Sequence, residues 1–235
     1  HTATAYEKKK SIKSNAYRHK NSRYLLKMDF ADFFPSILQK DFKYWIRYYK
    51  PDEFSKRDLY YLSHLFFWFS TSKNKLVLSI GAPSSPKLSN IIMKNIDEQL
   101  FEFSKYHNVT YTRYADDLVF STNEPYVLKK MEKKVYDILD NTRYPKLHIN
   151  TSKTVFSSKK YSRFVTGLVL TNQNTISIGR RKKRLIRSMI HHFKHNNLSD
   201  DEISYLKGYL AFIADVEPTF LTKMKNYYGS TLINN

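Results

Sequence analysis

Residues 109–121 constrain the fold more than any other part of the chain. Two β-rich runs, 109–114 and 118–121, are separated only by Ala115-Asp116-Asp117, which reads as a hairpin with two acids in its turn. A second apolar run, 24–30, also ends in acids and reads as a strand that delivers Asp29 and Asp32 to an exposed edge. Three carboxylates from two neighbouring strands repel one another unless something positive binds between them. Two divalent cations about 3.5 to 4 Å apart are the usual remedy, and they also stabilise the attacking and leaving oxygens of an in-line phosphoryl displacement. Oxygen ligands with no cysteine nearby favour Mg²⁺ or Mn²⁺ over zinc. Taken alone, Asp-Asp in a turn is also an ordinary solvated turn, because Asp forms local hydrogen bonds there.

The rest of the chain narrows the chemistry. Its 235 residues are 41% hydrophobic, enough for a sizeable core in one or two compact units and too apolar for a disordered tail. Forty Lys plus Arg against 21 Asp plus Glu leave a net charge of +19, a field that attracts polyanions and nucleic acid first. An anionic membrane surface would suit the same charge, but the longest apolar runs, such as 65–69, fall far short of the roughly 18 residues of a spanning helix. The absence of cysteine excludes a disulfide framework, thiol catalysis and thiolate zinc sites, and it fits a reducing compartment; the expected location is cytoplasmic. Aromatic residues make up 16% and often alternate with Lys or Arg, as in residues 42–50. Such mixtures can stack bases while neutralising phosphates. The same spacing also describes a helix with its rings in the core and its lysines in solvent.

Residues 1–23 are polar and basic, with Glu7 the single acid, and read as a surface segment. Beyond the first strand, Phe42, Trp45, Ile46 and Tyr49 recur at helical spacing. So do Leu59, Leu62, Leu65, Phe66 and Phe69, after Ser55 and Asp58 in a near capping box. The turn-rich Gly81-Ala82-Pro83-Ser84-Ser85-Pro86 launches one helix, with Ser85 as cap, Pro86 at its first position and Leu88, Ile91, Ile92, Ile96 and Leu100 along its apolar face. Leu128, Met131, Val135 and Ile138 mark another helix after Pro125. Residues 165–170 and 175–178 read as a second hairpin around Asn172-Gln173-Asn174. From Gly179 the texture is helical and basic, with Ser199 and Glu202 as a capping box before Ile203, Leu206, Leu210 and Ile213, then Phe220, Leu221 and Met224. The expected class is α+β: helices on one face of a mainly antiparallel sheet, with the other face open and bearing the acids.

Tyr114-Ala115-Asp116-Asp117, between its two strands, resembles the YxDD box of reverse transcriptases. Leu26-Lys27-Met28-Asp29-Phe30-Ala31-Asp32-Phe33-Phe34-Pro35-Ser36 looks like the palm motif that supplies the other metal-binding aspartate. Gly81-Ala82-Pro83-Ser84-Ser85-Pro86-Lys87-Leu88-Ser89-Asn90 looks like the helix-opening motif of the same enzymes. Asn15-Ala16-Tyr17-Arg18-His19 fits the NAxxH element and Val165-Thr166-Gly167 the VTG element of bacterial retron reverse transcriptases. The five motifs stand in the family's order and cover residues 15 to about 193.

The resemblance implies a polymerase palm at 24–178, a helical thumb at 179–235 and, at 1–23, a remnant of fingers that are otherwise largely missing. Because the chain opens on His1, an N-terminal part carrying the basic fingers strands is expected to have been omitted or cleaved. By the same resemblance Asp29 and Asp116 would hold two Mg²⁺ (or Mn²⁺) ions, with Asp117 beside them and the carbonyl of Phe30 as a further ligand. The backbone of Asp32 and Phe33 would cradle a deoxynucleoside triphosphate, with Gly81 also at the nucleotide and Phe34 as the steric gate against a 2′-hydroxyl; Phe34 read by itself is a core phenylalanine. Lys153 occupies the place of the family's lysine that protonates departing pyrophosphate; a solvated lysine fits the sequence nearly as well. RNA would be held by Asn15, His19, Val165, Thr166, Gly167 and the basic run Arg180, Arg181, Lys182, Lys183, Arg184 and Arg187. That run opens a helix, where the macrodipole disfavours cations, so a role beyond helix stability is expected of it, although a solvated charge run has the same appearance. His191 and His192 have no ligand-like partners in sequence and read as packing or surface residues.

Retron enzymes copy their own structured noncoding RNA, starting from the 2′-hydroxyl of a guanosine and leaving a branched RNA–DNA product. The resemblance therefore implies that RNA, the RNA–DNA hybrid and an effector protein of a phage-defence unit as partners. One departure is Ile80, where these polymerases usually place a glutamine that helps position the nucleotide; an apolar side chain removes that hydrogen bond. Ile80 and the missing fingers motivate a second reading, a polymerase-like scaffold that binds nucleic acid without catalysis. Three negative charges at the centre of a phosphate-binding groove argue for the enzyme.

Overall fold

In the computed structural model, residues 3–7 and 9–229 are described. Helix α1 (Ile12–His19) is capped by Ser11, whose hydroxyl accepts from the Ser14 amide. Strand β1 (Tyr24–Asp29) and the short α2 (Phe33–Ser36) follow, then α3 (Gln39–Tyr49) and α4 (Lys56–Phe66), the latter opened by the Ser55/Asp58 capping box. Next come the hairpin β2 (Phe67–Ser70) and β3 (Lys75–Leu78), then α5 (Ser85–Ile92) and α6 (Lys94–Tyr106). The acid-bearing hairpin is β4 (Thr110–Tyr114) and β5 (Asp117–Thr122); α7 (Val127–Asn141), a 3₁₀ turn at Thr151–Lys153 and β6 (Val155–Ser158) complete this part. Three short strands, β7 (Arg163–Val165), β8 (Leu168–Leu170) and β9 (Ile176–Ser177), precede α8 (Arg180–Lys194), α9 (Asp200–Val216) and α10 (Pro218–Tyr228).

The central sheet runs β4-β5-β1-β6 and all its pairings are antiparallel. Alternation along β1 and β5 sends Leu26, Met28, Leu118 and Phe120 to one face, where they join the apolar stripes of α5, α6 and α7 in the larger core. The opposite face carries, from one end to the other, Asp29, Lys27 and Leu25 on β1 against Asp117, Val119 and Ser121 on β5. Leu25 and Val119 belong to a second core that includes Ala16 of α1, strands β7 and β8 and the three C-terminal helices. The α+β class and the helix-backed antiparallel sheet are thus as the sequence implies, but the acid-bearing face is open only at its acid end.

Five element-level expectations change. Of the two acids expected in the turn of the acid-bearing hairpin only Asp116 lies there, and Asp117 is the first residue of β5. The run ending in Phe69 is not one helix, because α4 stops at Phe66 and Phe69 lies on β2, half-exposed; a four-residue strand carries too few residues to show its period. The apolar stripe 88–100 belongs to two helices that meet at the wholly buried Met93, whose ψ of −8° breaks the α-helical path. The α5 cap is Ser84 rather than Ser85. Residues 165–170 fold back on themselves: Thr166 and Gly167 take φ of 46° and 79°, so a two-residue turn joins β7 to β8. The Asn172-Gln173-Asn174 turn stands, closed by the Thr171 N–H donating to the Thr175 carbonyl at 2.9 Å.

His19 fastens α1 across the sheet. Its Nδ1 lies 2.8 Å from Ser121 Oγ and its Nε2 2.7 Å from Thr112 Oγ1, and Ser121 gives its own proton to Ser22 Oγ at 2.9 Å. Nδ1 is therefore the donor to Ser121, and in a neutral ring Nε2 accepts from the Thr112 hydroxyl. Burial pushes this imidazole down to about 3. Below about pH 6.5 the unfolded chain takes up a proton that the folded ring refuses, so stability falls as pH drops from about 6.5 toward 3, by about 1.4 kcal/mol per pH unit. Burial lifts Asp41 to about 6, which acts in the opposite direction as pH falls through its folded value. Comparison with His19→Gln isolates the histidine: between pH 6.5 and 5, urea unfolding should show the wild type losing about 2 kcal/mol more than the variant. Equal losses would contradict a neutral buried ring.

Candidate active site

The register of the central ladder builds the site. Asp29 is the Cα partner of Asp117, and Tyr114 is the partner of Asp117 on its other side, so Ala115 and Asp116 form a two-residue hairpin loop. The Phe30 N–H donates to the Asp116 carbonyl at 3.1 Å, which makes Asp29 and Asp117 a non-hydrogen-bonded pair. Such pairs are the close kind, with Cα atoms about 4.5 Å apart and side chains on one face. The Asn150 N–H donates to the Asp29 carbonyl at 2.7 Å and the Ala31 N–H to the His148 carbonyl at 2.8 Å, so the chain after β1 is held on its other side as well.

Two lysines balance this crowding. Lys153 Nζ donates to Asp29 Oδ1 at 3.0 Å, and Lys27 Nζ lies 2.9 Å from Asp117 Oδ1. Burial pushes the Asp116 carboxyl above its usual range and Asp29 adds to the effect; Lys153 and Lys27 pull it down. Asp117 is raised likewise, first by burial and then by Asp116 and Asp29, against the hydrogen bond from Lys27. The Asp29 hydrogen bond holds the Lys153 ammonium above its ordinary value. Among the described residues no three Asp, Glu, His or Cys side chains stand in a ready-made metal-ligand arrangement. The acids that face one another hold their oxygens toward lysine ammoniums. The donors are nevertheless hard oxygens that raise one another's affinity for positive charge, a set that suits Mg²⁺ or Mn²⁺.

Beside the acids, Asp32 takes a left-handed φ of 47° and opens α2. Phe33 is buried, with its ring stacked on Phe30 at 5.5 Å, while Phe34 is half-buried and meets Phe33 edge-on at 5.3 Å. Strand β3 runs along this segment, with the Leu78 N–H donating to the Ile37 carbonyl at 3.0 Å, and leads to Ile80 and Gly81. Gly81 has φ of 87° with open space where a Cβ would stand, and Ile80 is 75% exposed.

The family described as reverse transcriptase (RNA-dependent DNA polymerase) matches residues 1–206. The chain belongs to the reverse transcriptases. It is similar to the Retron Ec83 reverse transcriptase of Escherichia coli, with 41% identity over 235 residues that cover 99% of this chain and 75% of that one. The Retron Ec73 reverse transcriptase of Escherichia coli is 35% identical over 240 residues, covering 96% of this chain and 73% of that one. These likenesses make it an RNA-directed DNA polymerase of the retron reverse transcriptase family. Among solved structures, a foamy viral protease-reverse transcriptase in complex with RNA/DNA hybrid matches with a TM-score of 0.55 and 14% identity, over 98% of this chain and 29% of that one. That likeness shows the shared reverse-transcriptase fold.

The two elements that mark retron reverse transcriptases pack against each other. Helix α1, which carries Asn15 and His19, lies on β7, β8 and β9, and Thr166 Oγ1 donates to the Ile12 carbonyl at 3.1 Å. Asn15, His19 and Val165, expected to help hold RNA, are each 0% exposed: their side chains are interior, and His19 is spent on Ser121 and Thr112. Sequence alone cannot tell a buried polar side chain from an exposed one in a helix of only eight residues. Gly167 is exposed and Thr166 half-buried. On α8, Arg180, Arg181, Arg184 and Arg187 are exposed, and Lys182 lies 3.5 Å from the Gly167 carbonyl. Lys183 is turned inward onto Glu217 and over the Phe220 ring.

Sequence reasoning missed the polar cluster beneath the hairpin, where Arg113 pairs with Asp97 and donates to the Ala115 carbonyl. The available signal was an arginine at position 113, on the strand face that alternation assigns to the core. The electrostatics of the acid cluster can be checked directly. In Lys27→Met the Asp117 carboxyl should move further above its ordinary range, as read by ¹³C-carboxyl NMR titration of the metal-free protein. An unchanged titration would show that Lys27 does not compensate Asp117.

Proposed function

We propose that this chain is the polymerising part of a retron reverse transcriptase that copies its own structured noncoding RNA into single-stranded DNA. On this reading synthesis starts from a guanosine 2′-hydroxyl, uses deoxynucleoside triphosphates and leaves a branched RNA–DNA product. The setting would be a cytoplasmic antiphage unit with an effector protein as further partner; among the described residues no helix is long and apolar enough to cross a membrane. Residues 24–178 would serve as palm, 179–235 as thumb and 1–23 as part of the fingers. The observation that carries the polymerase reading is the close Asp29–Asp117 ladder pair with Asp116 in the adjoining loop and Lys153 on Asp29.

Reverse transcriptases as a family use divalent metal ions. Here Asp29, Asp116, Asp117 and the Phe30 carbonyl would hold two Mg²⁺ ions, with Mn²⁺ as a substitute. When bound, such ions neutralise charge on the phosphates and favour in-line displacement. The remaining roles fall to side chains and backbone of this chain. Lys153 keeps a proton on Nζ at the rim of the acid cluster, ready for the departing pyrophosphate. The backbone at Asp32 and Phe33 would cradle the triphosphate, with the open loop at Gly81 alongside. Phe34, braced by Phe33, would place a ring beneath the sugar and exclude a 2′-hydroxyl by volume. Arg180, Arg181, Arg184 and Arg187 on α8, with Lys182, Thr166 and Gly167 nearby, offer a basic surface for the RNA backbone.

Primer extension by the full-length protein on its cognate RNA tests this. Asp116→Asn combined with Asp117→Asn should abolish deoxynucleotide incorporation while RNA binding survives. Phe34→Ala should keep activity and lower discrimination against ribonucleotides roughly 10- to 100-fold. Polymerisation by the double variant would defeat the reading. RNA binding by the wild type that weakens steeply with salt, with no product at any Mg²⁺ concentration, would favour a binding scaffold instead.

A further inference from the structure

The loop that carries Asp116 rests on a buried guanidinium. Arg113, on β4, is 0% exposed and points to the helix side of the sheet, away from the acids. Its Nε lies 2.9 and 3.1 Å from the two oxygens of Asp97 on α6, and its NH2 donates to Asp97 Oδ2 at 2.6 Å. The Tyr111 hydroxyl donates to Asp97 Oδ1 at 2.8 Å. Burial works against a charge on Arg113 and Asp97 overcomes it, so the guanidinium stays cationic. The remaining nitrogen, NH1, donates to the Ala115 carbonyl at 3.0 Å and to Asn90 Oδ1 on α5 at 3.2 Å. The Arg113 carbonyl in turn accepts from the Thr4 N–H at 2.8 Å and the Thr4 hydroxyl at 2.9 Å.

The acceptor matters because Ala115 has φ of 55°, a left-handed conformation that alanine adopts only when its surroundings enforce it. Ala115 is the first of the two loop residues and Asp116 the second, so the orientation of the Ala115 peptide sets where the Asp116 side chain starts. NH1 is the side-chain donor on that peptide, and its fork partner is anchored on a different helix from its second acceptor. The guanidinium therefore joins three elements: the acid loop, α5 and α6.

We propose that Arg113, oriented by Asp97, is a positioning residue that holds the Ala115 peptide in its left-handed turn and thereby fixes the Asp116 carboxylate relative to Asp29. The inference rests on the reading that Asp29, Asp116 and Asp117 hold divalent cations, and adds the device that keeps those oxygens in register. A lysine could neutralise Asp97 but, as a single ammonium, cannot form the fork and reach Ala115 together. Arg113→Lys thus separates charge compensation from positioning.

The test uses the full-length protein and Tb³⁺ as a luminescent probe, excited through tyrosine; Tyr114 adjoins the loop, and Tyr6 lies 6.5 Å from it, ring to ring. The wild type should bind Tb³⁺ at a site from which Mg²⁺ displaces it, and Asp116→Asn should lose that site. Arg113→Lys, checked as folded by circular dichroism, should weaken Tb³⁺ binding and raise the Mg²⁺ needed for half-maximal incorporation by about tenfold or more, with RNA affinity unchanged. Folded Arg113→Lys with wild-type Tb³⁺ affinity overturns the proposal. Should Arg113→Lys fail to fold, Asp97→Asn, which keeps shape and an acceptor oxygen but loosens the fork, is read in the same way. No Tb³⁺ site in the wild type, or one indifferent to Asp116→Asn, defeats the cation reading itself and this inference with it.

Discussion

The close ladder pairing of Asp29 with Asp117 is the constraint around which the rest of this molecule is arranged. Antiparallel register puts two carboxylates directly opposite on one face, and a two-residue loop adds Asp116 beside them. Like charges opposite each other destabilise a sheet. The structure answers with positive charge from two directions: Lys27 comes from the same strand as Asp29, and Lys153 from the turn that follows the chain's return to that strand. A sheet built for stability alone would have no reason to gather these acids, so the arrangement reads as a function imposed on the fold. On the proposed reading, bound cations would take over the charge compensation that Lys27 and Lys153 give Asp117 and Asp29 here.

The two cores explain how that end of the sheet stays accessible while the remainder is rigid. Helices α5, α6 and α7 pack over one face along β1, β4 and β5. On the other face α1 and the C-terminal helices, packed with β7 and β8, cover the half remote from the acids, and His19 bolts α1 to β4 and β5 through two hydroxyls. Glu217, between α9 and α10, gathers the Ser177 hydroxyl, the Ile178 N–H and the Lys183 ammonium, which ties the start of α8 to the C-terminal helices. This bond relieves one of the cations that the helix dipole would otherwise oppose at the start of α8.

Much of this was legible in the sequence, for physical reasons. The acid hairpin was readable because a short turn between β-rich runs has a distinctive pattern, although its exact length, which puts Asp117 on β5, was not. The capping boxes at Ser55 and Ser199 were readable because both partners lie within one helical turn. Less legible were features fixed by tertiary contact. Thr166 and Gly167 turn the chain where the apolar pattern runs straight through, and Met93 divides a stripe that looks continuous. At the site, Asp29, Asp116, Asp117 and Lys153 come together as their motifs imply, whereas Asn15, His19 and Val165 prove to be interior. Burial of a short polar helix is decided by what packs on it, which no local pattern records. Arg113 and Asp97 lie 16 residues apart on different elements, and only the fold reveals them as a pair.

The central claim is that the three carboxylates constitute one cation site. Anomalous scattering from crystals of the full-length protein soaked in Mn²⁺ tests it most directly. The account predicts density bounded by the Asp29, Asp116 and Asp117 carboxylates, with the Lys27 and Lys153 ammoniums displaced from the oxygens they now hold. Strong Mn²⁺ peaks elsewhere, with both lysines still seated on Asp117 and Asp29, would contradict it.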